Sequence, residues 1–352
     1  MHHLPRSPYL PRRDVLRVAF AGAATFGVGA LATASSANPT ALQPFPQEFN
    51  YPLTDGPSLA LWGSSSIEGA HCHDGVPPFR HTRLDQQLQN SLGIPIFNFG
   101  RGGETSSNIA ARRGVAQNLT SLIFENEEIP ASGSAIVKLD KKCGNDWNKY
   151  TRFPGYVQTI PAVLSAAGQK TGYYSFSRMD EGTTQSAPRQ SNLAEFHSYQ
   201  AMISQSSHHL IQVGRNNLLE LERIVADTQA CFEMAPDKSI VMGHFEALHD
   251  APRSPRSCAV REYNAWGLKT FGERFMNPQE WIRENSGQSW LSEHDLAGSS
   301  LWQRSTDQKD FDLGKIPGSL YANDGFHLNG WGYLALGRMI EQKITDLAWF
   351  TH

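Results

Sequence analysis

Four short apolar runs constrain this chain more than any other feature. They are "SLALWG" (58–63), "IPIFNFG" (94–100), "HHLIQVG" (208–214) and "KSIVMGHF" (238–245). A strand with one wet face alternates apolar and polar residues. These runs are nearly continuous instead, which requires burial on both faces, as in a parallel sheet covered by helices. Apolar residues at helical spacing lie between and after them, in "FRHTRLDQQLQNSLG", "NLLELERIVADTQACFEMA", "SCAVREYNAWGLKTFG" and "NGWGYLALGRMIEQKITDLAWF". Strand followed by helix, repeated, predicts an α/β sandwich with right-handed crossovers. The 352 residues, 39% hydrophobic and 18% charged, are enough for one large domain or a domain plus an insert. The net charge of −3 and the lack of a basic run do not suit a nucleic-acid or anionic-membrane surface.

One region breaks the rhythm. Residues 114–197 hold "LTSLIFENEEIPASGSAIVKLDKK", "YTRFPGYVQTIPA" and "KTGYYSFSRMD". These have Gly and Pro turns and a two-residue alternation, as at Tyr174, Phe176 and Arg178. The reading is a small β-rich insert, 114–197, within an α/β domain formed by 58–113 and 198–352. The competing description is a long ordered excursion with two hairpins. Residues 38–57 form a Pro-rich lead-in arm.

The first 37 residues differ in kind. "LPRRDVLRVAFAGAATFGVGALATASSA" sets Arg12 and Arg13 before a Gly/Ala-rich run, with small residues after it. Arg12, Arg13, Val15, Leu16 and Arg17 resemble a bacterial twin-arginine signal. That resemblance implies passage through the twin-arginine export machinery and cleavage after Ala34 or Ala37. The expected location is therefore periplasmic, cell-surface or secreted. The alternative is a membrane span, for which the run Val18–Ala34 is short and interrupted by Gly and Thr. Removing residues 1–37 takes away four arginines and one aspartate, leaving 27 basic against 33 acidic side chains and a charge of −6.

The chemistry concentrates where apolar runs end. "LWGSSSIEG" (61–69) puts three serines after a strand and before a helical pattern. Open α/β folds bind ligands at that carboxyl edge. A serine hydroxyl needs a base within hydrogen-bond reach, and the base needs an orienting acceptor. "YANDGFHLNGWGYLALG" offers both, with Asp324 three residues before His327. "NFGRGGETS" (98–106) packs glycines that let a backbone N–H approach a substrate. "IQVGRNN" ends a strand with Asn216, whose amide can donate to an oxyanion.

Together these four blocks resemble the SGNH hydrolases, also called GDSL esterases. Gly63-Ser64-Ser65-Ser66-Ile67-Glu68-Gly69 stands against the family's Gly-Asp-Ser-x-x-x-Gly, with Ser64 where Asp is usual. Gly103, Asn216, and the Asp324/His327 pair match the later blocks in order, over roughly 58–112 and 207–347. The resemblance implies a flavodoxin-like three-layer α/β/α sandwich and a carboxylic ester hydrolase without a cofactor. It implies Ser65 as nucleophile, His327 as base and Asp324 as its orienter. The oxyanion hole would comprise the Ser65 and Gly103 N–H groups and the Asn216 amide. O-acyl groups on a small molecule or a polysaccharide are the expected substrates. A lipase or acyltransferase using the same residues, and a catalytically silent carbohydrate-binding protein, are the alternatives. The oligomeric state is left open.

Other candidates are weighed beside these. "CGNDW" offers Asn145 as a rival third-block asparagine, but it follows the charged, alternating "IVKLDKK" rather than a buried strand. "HFEALHD" puts His244 and Glu246 after a strand, as possible pocket-lining groups, with ordinary loop polarity as the alternative. "HCHD" (71–74) looks like a metal cluster, but consecutive residues rarely converge on one tetrahedron. It is read as a loop flanking the site, and no metal is expected. His208 and His209 open a strand and are read as structural. "NLT" (118–120) is set aside as a glycosylation match, given the bacterial-type signal. Cys72, Cys143, Cys231 and Cys258 permit either two disulfides or free thiols.

Overall fold

The computed structural model describes residues 45, 49, 51, 56–76, 81–140, 152–167, 172–188, 194–285 and 305–350. The expected signal sequence, Cys143 and Asn145 lie outside them. The four apolar runs form strands β1 (Leu59–Trp62), β2 (Ile96–Asn98), β11 (His208–Ile211) and β12 (Ser239–Met242). A fifth strand, β13 (Phe275–Met276), joins them. All pairings are parallel and the order is β13-β12-β11-β1-β2. The first strand thus lies between the second and third of this sheet. Its register pairs Leu59 with His208 on one side and with Ile96 on the other.

Continuous hydrophobicity has its expected consequence. Leu59 and Leu61 enter one core with Leu84 and Leu88 of helix α2 (Leu84–Leu92) and Met339 and Ile340 of the C-terminal helix α9 (Gly330–Asp346). Ala60 and Trp62, pointing the other way, enter a second core with Ile109 of α3 (Ser106–Arg113) and Cys231 of α5 (Leu221–Glu233). Val241 packs with Tyr263 and Phe271 of α6 (Pro255–Phe271) in a third cluster. Each fully buried aliphatic or aromatic side chain contributes about 1.5–3 kcal/mol. Strand β1, which leads into Ser65, is therefore held from both faces. Shorter helices α1 (Ser65–Glu68), α4 (Tyr199–Ile203), α7 (Pro278–Asn285) and α8 (Ser305–Asp312) complete the set described.

The β-rich segment is a closed antiparallel barrel. Its strands are β3 (Thr120–Phe124), β5 (Ser134–Leu139), β6 (Arg152–Val157), β7 (Ile160–Ala166), β8 (Tyr173–Arg178) and β10 (Glu195–Ser198). Strand β10 closes it by pairing with both β3 and β6, with Phe196 opposite Thr120 and Val157. Alternation fills the interior: Leu122, Phe124, Val137, Phe153, Leu164, Phe176 and Phe196 share one core. Closure removes the exposed strand edges that two separate hairpins would present. A short pair, β4 (Glu128–Ile129) with β9 (Gln185–Ser186), lies outside it. The barrel connects through β10 directly into α4 and then β11.

Among the described residues Cys72, Cys231 and Cys258 are free thiols. No described helix is long and apolar enough to cross a membrane.

Candidate active site

Strand β1 runs into Gly63, where a side chain would collide with Ile67 Cγ1 at 2.2 Å. That close approach lets the chain turn at once into α1, which starts at Ser65 and ends at Gly69 in the left-handed region (φ 97°). The three serines are not a solvated loop: Ser64, Ser65 and Ser66 are 1%, 9% and 2% exposed. Only Ser65 meets a base. Its Oγ lies 2.7 Å from His327 Nε2, and His327 Nδ1 lies 2.6 Å from Asp324 Oδ2. With Nδ1–H donated to the carboxylate, Nε2 holds a lone pair toward Ser65.

The Asp324–His327 turn is organised by the backbone. Asp324 Oδ1 accepts from the N–H groups of Phe326 (2.9 Å) and His327 (3.0 Å). Burial pushes this carboxyl up, but the hydrogen bonds from His327 and Phe326 outweigh it and hold it at about 2. Below the turn, Asn329 accepts from Trp331 N and Gly332 N and starts α9.

Arg215, next to Asn216, is a residue that sequence reasoning missed. It is 1% exposed and donates to the carbonyls of Phe245 and Phe326, the latter at 2.7 Å. The Phe245 and Phe326 ring centroids lie 4.0 and 4.5 Å from its guanidinium carbon. Burial lowers its pKa to about 10. By holding the Phe326 carbonyl, Arg215 ties the third strand's end to the histidine turn. The available signal was a single arginine directly after an apolar strand.

The glycine turn after β2 sits against α1. Asn98 donates from Nδ2 to the Ile67 carbonyl (2.9 Å) and accepts from Gly100 N (2.9 Å). A Cβ on Gly100 would stand 2.1 Å from Glu68 N, so only glycine fits. Gly102 N donates to Glu68 Oε2 at 2.7 Å, and Gly103 adopts φ 79°. The backbone N–H groups of Ser65 and Gly103 donate to no described protein group.

Asn216 and Asn217, in the segment after β11, hold this turn from across β1. Asn216 Nδ2 donates to the Glu104 carbonyl at 2.8 Å, and Asn217 Oδ1 accepts from Ser106 N at 3.0 Å. A primary amide has two N–H groups, so one on Asn216 is left for a further acceptor. Behind the turn is a buried ion pair that sequence reasoning also missed. Glu104 and Arg112 are 0% and 1% exposed, and Arg112 Nη2 donates to Glu104 Oε2 at 2.6 Å. Arg112 also donates to Phe99 O (2.8 Å) and Gln200 Oε1 (2.7 Å). Burial lifts the Glu104 carboxyl, with the Arg112 charge opposing.

Two expected pocket residues are elsewhere. His244 and Glu246 are both 0% exposed and line no solvent-facing surface. His244 Nε2 pairs with the Val213 carbonyl at 3.0 Å. Glu246 accepts from Arg261 (2.9 Å) and Gln279 (3.3 Å). Helix α6 and Gln279 cover the strand end that the sequence left open. His209 is buried against Trp62 and Arg113, and burial holds its pKa well below the usual value. Asn118 is also buried, donating to Asp227 at 2.9 Å.

The "HCHD" loop does flank the site. His71 Nε2 is 3.5 Å from Asp324 Oδ2, and its Nδ1 is 2.9 Å from Asp74 Oδ2. His73 turns away to Thr82 Oγ1 (3.2 Å), and Cys72 is buried. Two surface clefts, one near Trp281 and Met339 and one near Gln87 and Leu334, share no residue with the Ser65–His327–Asp324 group. No protein-family model matches the chain, and no curated protein matches its sequence.

Proposed function

We propose that this chain is a serine esterase of the SGNH hydrolase type, acting on carboxylic esters. The observation that carries the reading is the unbroken chain Ser65 Oγ–His327 Nε2 (2.7 Å) and His327 Nδ1–Asp324 Oδ2 (2.6 Å). It joins residues 262 positions apart in sequence and sits where strand β1 ends. The strand order, with β1 between β2 and β11, supports a flavodoxin-like layering whose ligand crevice lies at that switch point.

Ser65 Oγ attacks the ester carbonyl carbon while His327 Nε2 takes its proton. Asp324 keeps the imidazole in the required tautomer and stabilises the imidazolium. The Ser65 and Gly103 N–H groups and the second Asn216 amide N–H receive the oxyanion. His327 then returns the proton to the departing alkoxide, and water cleaves the acyl-enzyme with His327 again as base. Each such oxyanion donor typically contributes about 3 kcal/mol in the transition state.

O-acyl groups on a polysaccharide or envelope glycan are the substrate class proposed. That choice rests on the twin-arginine-like leader and on the barrel inserted between the second and third blocks. A glycan hydroxyl replacing water would make the same site an acyltransferase. The test is a panel of p-nitrophenyl esters of rising chain length and acetylated polysaccharides, with Ser65→Ala and His327→Ala as references. Turnover should vanish in both while the melting temperature stays near that of the parent. Full activity in Ser65→Ala would overturn the reading. For export, changing Arg12 and Arg13 to Lys should trap the precursor inside a bacterial host; normal export of that variant would refute the signal assignment.

A further inference from the structure

We infer that Gln200 is a positioning residue for the proposed oxyanion hole, coupling it to the barrel and to the segment ahead of β1. This role rests on the esterase reading above. Strand β10, which closes the barrel, runs straight into α4, and Gln200 is the second residue of that helix. Its backbone N–H donates to Ser198 Oγ at 3.2 Å, and the residue is 1% exposed. The side chain has no water to turn to, so both ends of the amide need a protein partner.

Those two ends cannot be exchanged. Arg112 Nη1 lies 2.7 Å from Gln200 Oε1, and a guanidinium only donates, so the amide oxygen must face it. The amide nitrogen is left to donate to the Tyr51 hydroxyl, 2.9 Å away. From Arg112 the chain continues to Glu104 Oε2 (2.6 Å), and the Glu104 carbonyl accepts from Asn216 Nδ2 (2.8 Å). Tyr51, Gln200, Arg112, Glu104 and Asn216 thus form one hydrogen-bonded line. It ends on the amide proposed to receive the oxyanion.

The far end of the line is held by packing. The Tyr51 ring lies 5.2 Å from that of Phe99, just after β2. Phe45 and Phe49, also ahead of β1, are buried with Val163 of the barrel and Tyr199 of α4. Arg112 stands over Trp62 of β1 and Phe153 of β6, each ring centroid 5.9 Å from its guanidinium carbon. The joint between barrel and sheet is therefore also the support of the turn after β2. Without the Gln200 oxygen, an Arg112 N–H would be unpaired in a dry site, and the guanidinium would shift to regain a partner, taking Glu104 with it. Donors that move off the oxyanion weaken the transition state while leaving ground-state binding alone.

The test compares Gln200→Met, Gln200→Glu and Tyr51→Phe with the parent, all as the full chain. Gln200→Met keeps the length and removes both polar ends, so kcat on a small p-nitrophenyl ester should fall by about tenfold or more with KM unchanged. The rate of reaction with a fluorophosphonate, whose phosphoryl oxygen needs the same donors, should fall in parallel. The acid limb of the kcat/KM profile should stay in place, because the line does not touch His327. Gln200→Glu, when protonated, offers an oxygen to Arg112 and an O–H to Tyr51, so kcat should stay within about twofold of the parent. Tyr51→Phe keeps the ring packing and unpairs only the amide nitrogen, so kcat should fall by about threefold. Ile136→Ser, on the barrel's outer face at 57% exposure, should change nothing. An unchanged kcat in folded Gln200→Met, an equal loss in Gln200→Glu, a shifted acid limb, or a rise in KM alone would overturn the inference. Should Gln200→Met not fold, Tyr51→Phe decides by the same readouts, and an unchanged kcat there overturns it. A parent that neither hydrolyses an ester nor reacts with the fluorophosphonate would sink the esterase reading and this role together. An active parent with unaffected variants would sink this role alone.

Discussion

Replacing Glu104 by Gln tests how the proposed oxyanion turn after β2 is held. Arg112 donates to Glu104 Oε1 (3.0 Å) and Oε2 (2.9 and 2.6 Å), in a region where both residues are at most 1% exposed. Gln keeps the shape and removes the charge. The guanidinium then has only the Phe99 carbonyl, Gln200 and two ring faces at 5.9 Å. Removing one partner of a buried pair costs about 3–5 kcal/mol, since the other charge stays desolvated. At roughly 2–4 °C per kcal/mol for a domain of this class, the melting temperature should drop by about 10 °C. Arg112→Met leaves a buried carboxylate instead, and this one can escape by taking up a proton. Burial already raises the Glu104 carboxyl, and loss of Arg112 raises it further. A raised folded pKa gives stability that is full at low pH and is lost as pH climbs through it. Arg112→Met should therefore recover stability between pH 8 and 5, whereas Glu104→Gln should not. The double variant should be more stable than the sum of the two single losses allows. Thermal melts and denaturant titrations across that pH range decide it. A cost below about 1 kcal/mol for Glu104→Gln, or additive losses in the double variant, would refute the claim that this pair anchors the turn.

Other outcomes follow from the same geometry. Asn216→Ala removes the proposed oxyanion donor and the hold on the Glu104 carbonyl, so kcat on a small ester should fall by about a hundredfold or more, read by steady-state kinetics. An unchanged kcat would place the third donor elsewhere. Gly100→Ala forces a Cβ to 2.1 Å from Glu68 N, so soluble yield and melting temperature should both collapse. Asp324 has a folded carboxyl held at about 2, below its unfolded value near 3.9, so its contribution to stability is complete above pH 4 and is lost as pH falls toward 2. Asp324→Asn should flatten that part of the acid-unfolding curve; an unaltered curve would contradict it.

Much of this molecule was legible in the chain because some signals are local. Continuous apolar runs can be satisfied only by two-sided burial, so the strands of the parallel sheet stood out, except Phe275–Met276, whose pairing spans just those two residues. Ser65, Asp324 and His327 were legible because each sits in a short block whose residue types and spacing carry chemistry. Alternation in residues 114–197 marked strands but not their partners. Closure came from β10 pairing at both edges, a long-range choice that no local pattern encodes. Burial of charge was likewise decided in three dimensions. Glu104 and Arg112 look like an ordinary polar turn and helix until the barrel's Phe153 and the sheet's Trp62 enclose them. His244 and Glu246 look like site residues until α6 and Gln279 cover them. His71 reads as part of a polar loop; its aim at Asp324 depends on one left-handed backbone angle. Sequence alone dictates which groups need burial or activation, because that follows from their own chemistry. Only the packed chain settles which distant group meets each need.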